Sequence, residues 1–336
     1  GTSQEMEGEE AASSQNRPTD GKLRGSHSRL QDRKEQAMLI CDEQERQMMK
    51  EGYVDPQAIF EQVQKNVQRL VEQHAAISRT DRLNLSADGE KTRKLVEEIS
   101  REDDEARMEE ILRRSCQQID LNSHYTANGD WVACGYKLAV EVLQLRQPSD
   151  ACKMKMIHEL MGMGLNAGNE WREGRARGSC GGSILAGVLW LQGVEDGEKL
   201  ELAEKLIEKG LDLNSESIER TTAASTGTFV LAGALNCPRL SSQAKADMLS
   251  LFLRSGLNVD QPCKQGSKET STGAILLPRV LSFIPEPNLR AKMAMEILEK
   301  GKGKYPDMRE KLEGLLGEAG LEEESREELR RVLGAV

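Results

Sequence analysis

The 336-residue chain is poor in aromatic residues and histidines, and it has no long apolar run. Aromatic residues make up 3% of the chain, so a core must be built from aliphatic side chains and methionine. Such residues suit closely packed helices better than an aromatic-rich β-sandwich. The longest apolar run, residues 184–191, is too short to cross a bilayer, so we expect no membrane span.

Seven cysteines are present, but none belongs to a CxxC pair, and the chain has only four histidines. No zinc-type spacing, EF-hand loop or HExxH pattern occurs, so we expect no metal and no cofactor. An odd number of scattered cysteines indicates a reducing compartment, and we predict a cytoplasmic location. The net charge of −10 argues against a nucleic-acid partner, which would require a surplus of lysine and arginine.

The chain divides into four predicted regions. Residues 1–34 are polar and almost without apolar side chains, which indicates a disordered lead-in. Residues 35–118 carry apolar stripes at helical spacing, such as Ile59, Val63, Val67 and Leu70, and we predict an N-terminal helical region. Residues 119–301 contain four repeats, and residues 302–336 form two predicted amphipathic capping helices.

A period of 46 residues runs through the second half of the chain. The recurring residues are Gly135, Gly181, Gly227 and Gly273, then Gly164, Gly210 and Gly256, and then Leu143, Leu189, Leu235 and Leu281. Each predicted unit has a polar loop, a short apolar helix and a second helix that ends on a glycine suited to a left-handed C-cap. Because each helix pair can bury its apolar face only against its neighbours, we predict an all-α helical solenoid.

The ends of the second helices carry a family resemblance. The segments LMGMGLNAG, LIEKGLDLN and LFLRSGLNVD resemble the matching segment of ankyrin repeats. The resemblance covers residues 119–301 and implies an array that binds other proteins. The period exceeds the family's repeat of about 33 residues. In addition, GGSILAG and GTFVLAG stand in place of its Thr-Pro-Leu-His segment. The array is therefore divergent, and another helix-pair solenoid is the alternative.

Divergent arrays behind a helical N-terminal region are similar to those of bacterial effectors that are delivered into host cells. This resemblance implies a role in virulence. It also implies that the protein is secreted into the host cytosol. Both implications rest on analogy of architecture alone.

Two polar loops between the units are the predicted partner-binding sites. Arginine side chains bind carboxylates in a forked geometry, and a tryptophan on a loop is a common interface anchor. The predicted contact residues are Trp171, Arg172, Arg175, Arg177, Lys264 and Lys268. We therefore expect a protein partner with an acidic patch. The alternative is a pair of ordinary solvated loops.

The sequence favours a non-enzymatic interaction scaffold or adaptor. Cys134 and Cys180 each precede a glycine, as a nucleophile in a Cys–His enzyme could. The repeat places Thr226 and Thr272 at the equivalent positions, which indicates a slot for small side chains. We therefore predict no catalytic residue in the repeats.

Two alternatives to a scaffold built on the repeats remain open. The first is an effector enzyme, a cysteine-dependent hydrolase or transferase, whose N-terminal helices are catalytic while the repeats select the substrate. Its candidate residues are Cys41, His74 and Cys116. The second is a secretion or assembly adaptor whose N-terminal helices form a coiled coil.

Overall fold

The computed structural model describes residues 84–127, 131–302 and 305–335. In these ranges the chain forms twelve α-helices and six β-strands. The helices are α1 (Ala87–Arg101), α2 (Glu105–Cys116), α3 (Cys134–Gln144), α4 (Asp150–Gly162), α5 (Cys180–Val188), α6 (Asp196–Glu208), α7 (Thr226–Leu235), α8 (Ser242–Arg254), α9 (Thr272–Phe283), α10 (Pro287–Lys300), α11 (Pro306–Leu316) and α12 (Glu323–Ala335). The strands are β1 (Glu170–Glu173), β2 (Ala176–Ser179), β3 (Glu216–Glu219), β4 (Thr222–Ser225), β5 (Pro262–Gln265) and β6 (Lys268–Ser271). The predicted lead-in, residues 1–34, and the predicted helical stretch up to residue 83 lie outside the described residues.

The repeated unit is a hairpin followed by two helices. Strands β1 and β2 with helices α5 and α6 form one unit, and the same order recurs in the next two. The first helices of successive pairs pack against one another from α1 to α11, and the second helices do so from α6 to α12. Leu185, Leu206 and Leu231 are among the aliphatic side chains that are fully buried between them. Stacking therefore provides the burial that a single pair could not.

The prediction of an all-α helical solenoid is wrong. Three of the predicted polar loops are β-hairpins, and they join into one six-stranded antiparallel sheet in the order β1 to β6. Neighbouring hairpins are linked by pairs such as Arg177–Ile218 and Ala223–Lys264. Backbone N–H and C=O groups need partners, and equivalent loops stacked side by side can supply them to one another. The protein is therefore mixed α/β.

Left-handed glycines end three of the second helices. Gly164, Gly210 and Gly256 have φ values of 96°, 101° and 94°, which favour a residue without Cβ. Gly301 has a φ of −92°, and its unit is one residue shorter. The predicted left-handed cap is confirmed at three positions and is wrong at Gly301.

A second series of glycines joins each first helix to the loop before its hairpin. The N–H of Gly181 donates to the carbonyl of Ala167 at 2.9 Å, and that of Gly227 donates to Leu213 at 2.8 Å. A Cβ at Gly181 would lie 2.8 Å from the same Ala167 oxygen. Gly135 makes the equivalent bond in the preceding unit. Glycine recurs at this spacing because the close backbone approach leaves no room for a side chain.

Asparagine side chains link one unit to the next. Asn122 donates from Nδ2 to the carbonyl of Gly164 at 2.9 Å, and its Oδ1 accepts from the N–H of Asn166 at 2.9 Å. Asn214, two units further on, donates to Gly256 at 2.9 Å. These bonds satisfy backbone groups where a helix ends and the next hairpin begins, so they set neighbouring hairpins side by side.

In the described part of the chain, three helix pairs lie outside the hairpin-bearing units, two before them and one after. Helices α1 and α2 pack on α3 and α4, and helices α11 and α12 pack on α9 and α10. The two helices expected after Gly301 are present as α11 and α12. The predicted division into residues 35–118, 119–301 and 302–336 stays a prediction.

Candidate functional site

The inner face of each hairpin is buried against the helices. The second residue of β1, β3 and β5 is Trp171, Ser217 and Cys263 respectively, and each is buried between more exposed neighbours. This two-residue alternation is that of a strand with one face on the core. Tyr125 holds the same place in the preceding unit and is also buried. The opposite face of the sheet is the one that solvent reaches.

Trp171 packs the inner face of the first hairpin against helices α3 and α5. The side chain is 6% exposed, and its Nε1 donates to Ser183 Oγ on α5 at 2.9 Å. The indole lies parallel to the ring of Tyr136 on α3, with the centroids 6.3 Å apart. Gly178 is its partner on β2, where a Cβ would lie 2.9 Å from the indole nitrogen. The structure therefore places this predicted contact residue in the core.

The outer face of the sheet carries a row of directly paired residues, which we call the outer row. In order across the strands it consists of Trp131, Arg172, Arg177, Ile218, Ala223, Lys264 and Glu269. Successive members are Cα partners, so their side chains point to the same face. With strands about 4.8 Å apart, the row spans about 29 Å.

Trp131 begins the outer row. It is the one exposed large hydrophobic side chain in the described parts of the chain, at 54%. Its N–H donates to the carbonyl of Arg172 at 3.0 Å, and its carbonyl accepts from the N–H of Arg172 at 2.8 Å. The indole meets the ring of His124 edge-on, with the centroids 4.3 Å apart. These contacts fix an exposed aromatic side chain beside an arginine.

Arg172 and Arg177 stand directly opposite each other on β1 and β2. Like charges in this position destabilise a sheet. The carboxylate of Glu170 lies 3.6 Å from the guanidinium group of Arg172 and offsets its charge. Glu216 on the next hairpin does the same for Arg177. Both ion pairs are exposed to solvent, where such pairs contribute little. The two arginines are thus paired across neighbouring strands, next to Trp131.

The hairpin tips add further cations. Arg175 and Lys268 are exposed, and neither lies within ion-pair distance of a carboxylate among the described residues. Arg220 occupies the tip of the second hairpin with a φ of 56°, where Gly174 and Gly266 have φ values of 61° and 63°. Arg220 is the only non-glycine residue with positive φ in the described ranges.

The predicted contact residues other than Trp171 form two groups on the sheet. Arg172, Arg175 and Arg177 belong to the first hairpin, and Lys264 and Lys268 belong to the third. The hairpin of β3 and β4 separates the two groups. Arg172, Arg177 and Lys264 share the outer row. The partner-binding role of all these residues stays a prediction.

Trp131 is not among the contact residues predicted from the sequence. The 46-residue period places Trp131 in register with Arg177 and Glu269, which both lie in the outer row. The same period places Trp171 in register with the buried Cys263. The 46-residue period, combined with the two-residue alternation of a strand, therefore predicts that Trp171 is buried and that Trp131 is exposed.

The cysteines that precede helix glycines lie in a buried slot. Cys134, Cys180, Thr226 and Thr272 occupy the same place at the start of four first helices, and all four are buried. Burial raises the pKa of the Cys134 and Cys180 thiols. A buried thiol that keeps its proton is a poor nucleophile, which supports the interpretation as a structural slot.

Of the three candidate residues of the enzyme alternative, only Cys116 lies within the described residues. Cys41 and His74 fall outside the described residues. Cys116 lies at the end of α2, where burial raises the pKa of its thiol to about 12. Cys116 therefore lacks the thiolate that this alternative needs.

Comparison with known proteins found no match: no family model, no curated protein and no solved structure is similar to this chain. The expectation of a bacterial effector with a role in virulence rested on analogy of architecture alone. The predicted all-α architecture is wrong and no comparison supports the analogy, so we withdraw the expectation. Among the described helices, none has the length and apolar character that a membrane span requires.

Proposed function

We propose that the protein is an interaction scaffold that binds a partner protein on the outer row of its hairpin sheet. The observation that carries this proposal is the exposed Trp131 next to Arg172 and Arg177. Tryptophan and arginine are the side chains that most often dominate binding energy at protein interfaces. The helix pairs behind the sheet give these side chains a packed support.

We also propose that the units are divergent ankyrin-like repeats. Each of the three hairpin-bearing units has a hairpin, two helices and, in two cases, a left-handed glycine after the second helix. Proteins built from stacked repeats bind partners through surfaces that extend over several units. The outer row extends in this way, because it crosses three hairpins.

The partner of this proposal carries an acidic patch. Arg172, Arg177 and Lys264 face the same side of the sheet, and Arg175 and Lys268 flank it at the tips. Arginine binds carboxylates through two parallel hydrogen bonds, which adds geometric specificity. The six described cysteines are free thiols, which fits a reducing compartment such as the cytoplasm.

Charge reversal of the first hairpin tests the proposal. Partners are captured from a native lysate with the full chain, identified, and their affinity is measured. We expect the triple variant Arg172→Glu, Arg175→Glu, Arg177→Glu to bind at least about tenfold more weakly. Arg254→Glu is the control, because Arg254 is exposed on α8, away from the sheet. Unchanged affinity of the triple variant would rule out the first hairpin as the contact.

A further inference from the structure

We propose that the outer row binds an extended acidic segment in a fixed order of side chains. An apolar side chain of the ligand packs on Trp131, and a carboxylate is shared by Arg172 and Arg177. Small aliphatic side chains then cover Ile218 and Ala223, and a further carboxylate binds Lys264. This inference rests on the proposed function and adds the chemistry of the ligand.

The spacing of the outer row sets the length of the ligand. Trp131 and Lys264 are five strand steps apart, which corresponds to about 24 Å at about 4.8 Å for each step. An extended peptide advances about 3.3 Å for each residue. A distance of about 24 Å corresponds to about seven such steps, so a segment of about eight or nine residues that lies across the strands reaches from one end to the other.

The apolar end of the ligand follows from Trp131. This side chain is exposed although the fold buries the other large hydrophobic side chains of the described ranges at least in part. His124 covers one edge of the indole, and the rest faces solvent beside Arg172. A fixed indole offers a large apolar contact at a low cost in conformational entropy.

The acidic centre of the ligand follows from the two opposed arginines. The repeat shows that the fold does not need them, because Ile218 and Ala223 occupy the equivalent paired positions in the next hairpin. Glu170 lies 3.6 Å from Arg172 in an exposed pair, so a ligand carboxylate can join or displace it at little cost. A carboxylate shared by the two guanidinium groups also relieves their repulsion.

Glutamates on the same sheet favour an acidic peptide over a nucleic acid as the ligand. Glu170, Glu216 and Glu269 lie on or next to the outer row. They would repel a continuous line of phosphates, and the net charge of −10 adds to that repulsion. A peptide can place its carboxylates on the arginines alone, so a peptide fits this pattern of charge better.

A synthetic peptide serves as the probe, with the full chain as receptor. The fluorescein-labelled peptide has the sequence Phe-Gly-Glu-Gly-Val-Gly-Val-Gly-Glu, because alternate side chains of an extended segment point to the same face. We expect saturable binding that weakens about tenfold in Trp131→Ala and about tenfold in Arg172→Gln, Arg177→Gln. Arg254→Gln should bind as the unaltered chain does. All the substituted side chains are at least partly exposed, and the thermal midpoint of each variant checks its folding.

Reordered and competing ligands decide between the outcomes. A peptide of the same composition with its glutamates moved to the two ends should bind at least about tenfold more weakly. Equal binding of the two peptides, or binding of single-stranded polyuridine without binding of the peptide, would overturn the inference. If no peptide binds, but the triple charge reversal still loses the lysate partner, this inference fails and the proposed function stands.

Discussion

Lys199 donates a hydrogen bond from Nζ to the carbonyl oxygen of Leu189 at 3.0 Å, although its side chain is 1% exposed. A second bond reaches the carbonyl of Leu191 at 2.8 Å. Leu189 is the C-cap of α5, so the ammonium group lies at the negative end of that helix, where carbonyls lack helical donors. Burial lowers the pKa of Lys199. A buried cation on α6 therefore caps the first helix of the same unit.

This relationship recurs along the stack. Lys153, Lys199 and Lys245 are 46 residues apart and all are buried. Arg290 follows after 45 residues, and its Nε donates to the carbonyl of Ile284, the C-cap of α9, at 2.7 Å. Four second helices thus bury a cation at the same place, and Lys199 and Arg290 bond carbonyls at the end of a first helix.

Lys199→Met should lower the free energy of unfolding by about 2 kcal/mol, because the helix-end carbonyls would be buried without their donor. Lys205→Met is the matched control on the same helix, since Lys205 is exposed and pairs with Glu201 at the surface. The control should change stability by less than about 0.5 kcal/mol. Urea unfolding measures both variants, and equal stability of the two would refute the capping role.

Gly181 and Gly233 should respond in opposite ways to alanine. Gly181→Ala forces a Cβ to within 2.8 Å of the Ala167 oxygen, and we expect a loss of at least about 2 kcal/mol. At Gly233, inside α7, a Cβ meets nothing within 4 Å, so alanine should stabilise the protein by about 0.5–1 kcal/mol. Thermal and urea unfolding of the pair checks this. The explanation of the glycine period fails if Gly181→Ala is tolerated.

Arg220→Gly should stabilise the second hairpin. The residue has a φ of 56°, and glycine stands at the same tip position of the hairpins on either side. Removing the Cβ from a left-handed residue should raise the free energy of unfolding by about 1 kcal/mol. Gly174→Ala is the reciprocal change and should lower it by a similar amount. A loss of stability in Arg220→Gly would mean that contacts of the arginine outweigh the backbone strain.

Cys116 should make the protein less stable at alkaline pH. Burial raises the pKa of its thiol from 9.0 to about 12 in the folded protein. The unfolded chain therefore loses this proton first, so the contribution is intact below about pH 9 and is lost as the pH rises towards about 12. At about pH 10 the loss from this thiol is on the order of 1 kcal/mol. Urea unfolding measures how far the free energy of unfolding falls between about pH 7 and pH 10. This fall should be smaller by the same amount in Cys116→Ala. An identical fall in both proteins would show that the thiol does not titrate as described.

The helix pairs could be predicted from the sequence because local backbone chemistry dictates their ends. Gly164, Gly210 and Gly256 occupy left-handed positions, and the close contact at Gly181 needs glycine whatever surrounds it. The buried cations were equally visible at the period of 46, from Lys153 to Lys245. Charged residues on a helix are usually exposed, so the period alone does not mark these cations as buried.

The hairpins could not be predicted from local signals of the same strength. Their strands are four residues long and mostly polar, and part of their pairing comes from a hairpin about 46 residues away, as between Arg177 and Ile218. The length of the polar loops indicates that they contain secondary structure, because long loops without it are uncommon in compact domains. Once the sheet is known, the alternation sends Trp171 inward and Trp131 outward.

The central claim is that the hairpin sheet, rather than the layer of second helices, contacts the partner. Photo-crosslinking in the full chain tests it most directly, with benzoylphenylalanine in place of Arg175 at the first hairpin tip or Glu201 on α6. Both positions are exposed, so either substitution leaves the core intact. We predict a crosslinked partner from position 175 and none from position 201. A crosslink from position 201 without one from position 175 would contradict the account.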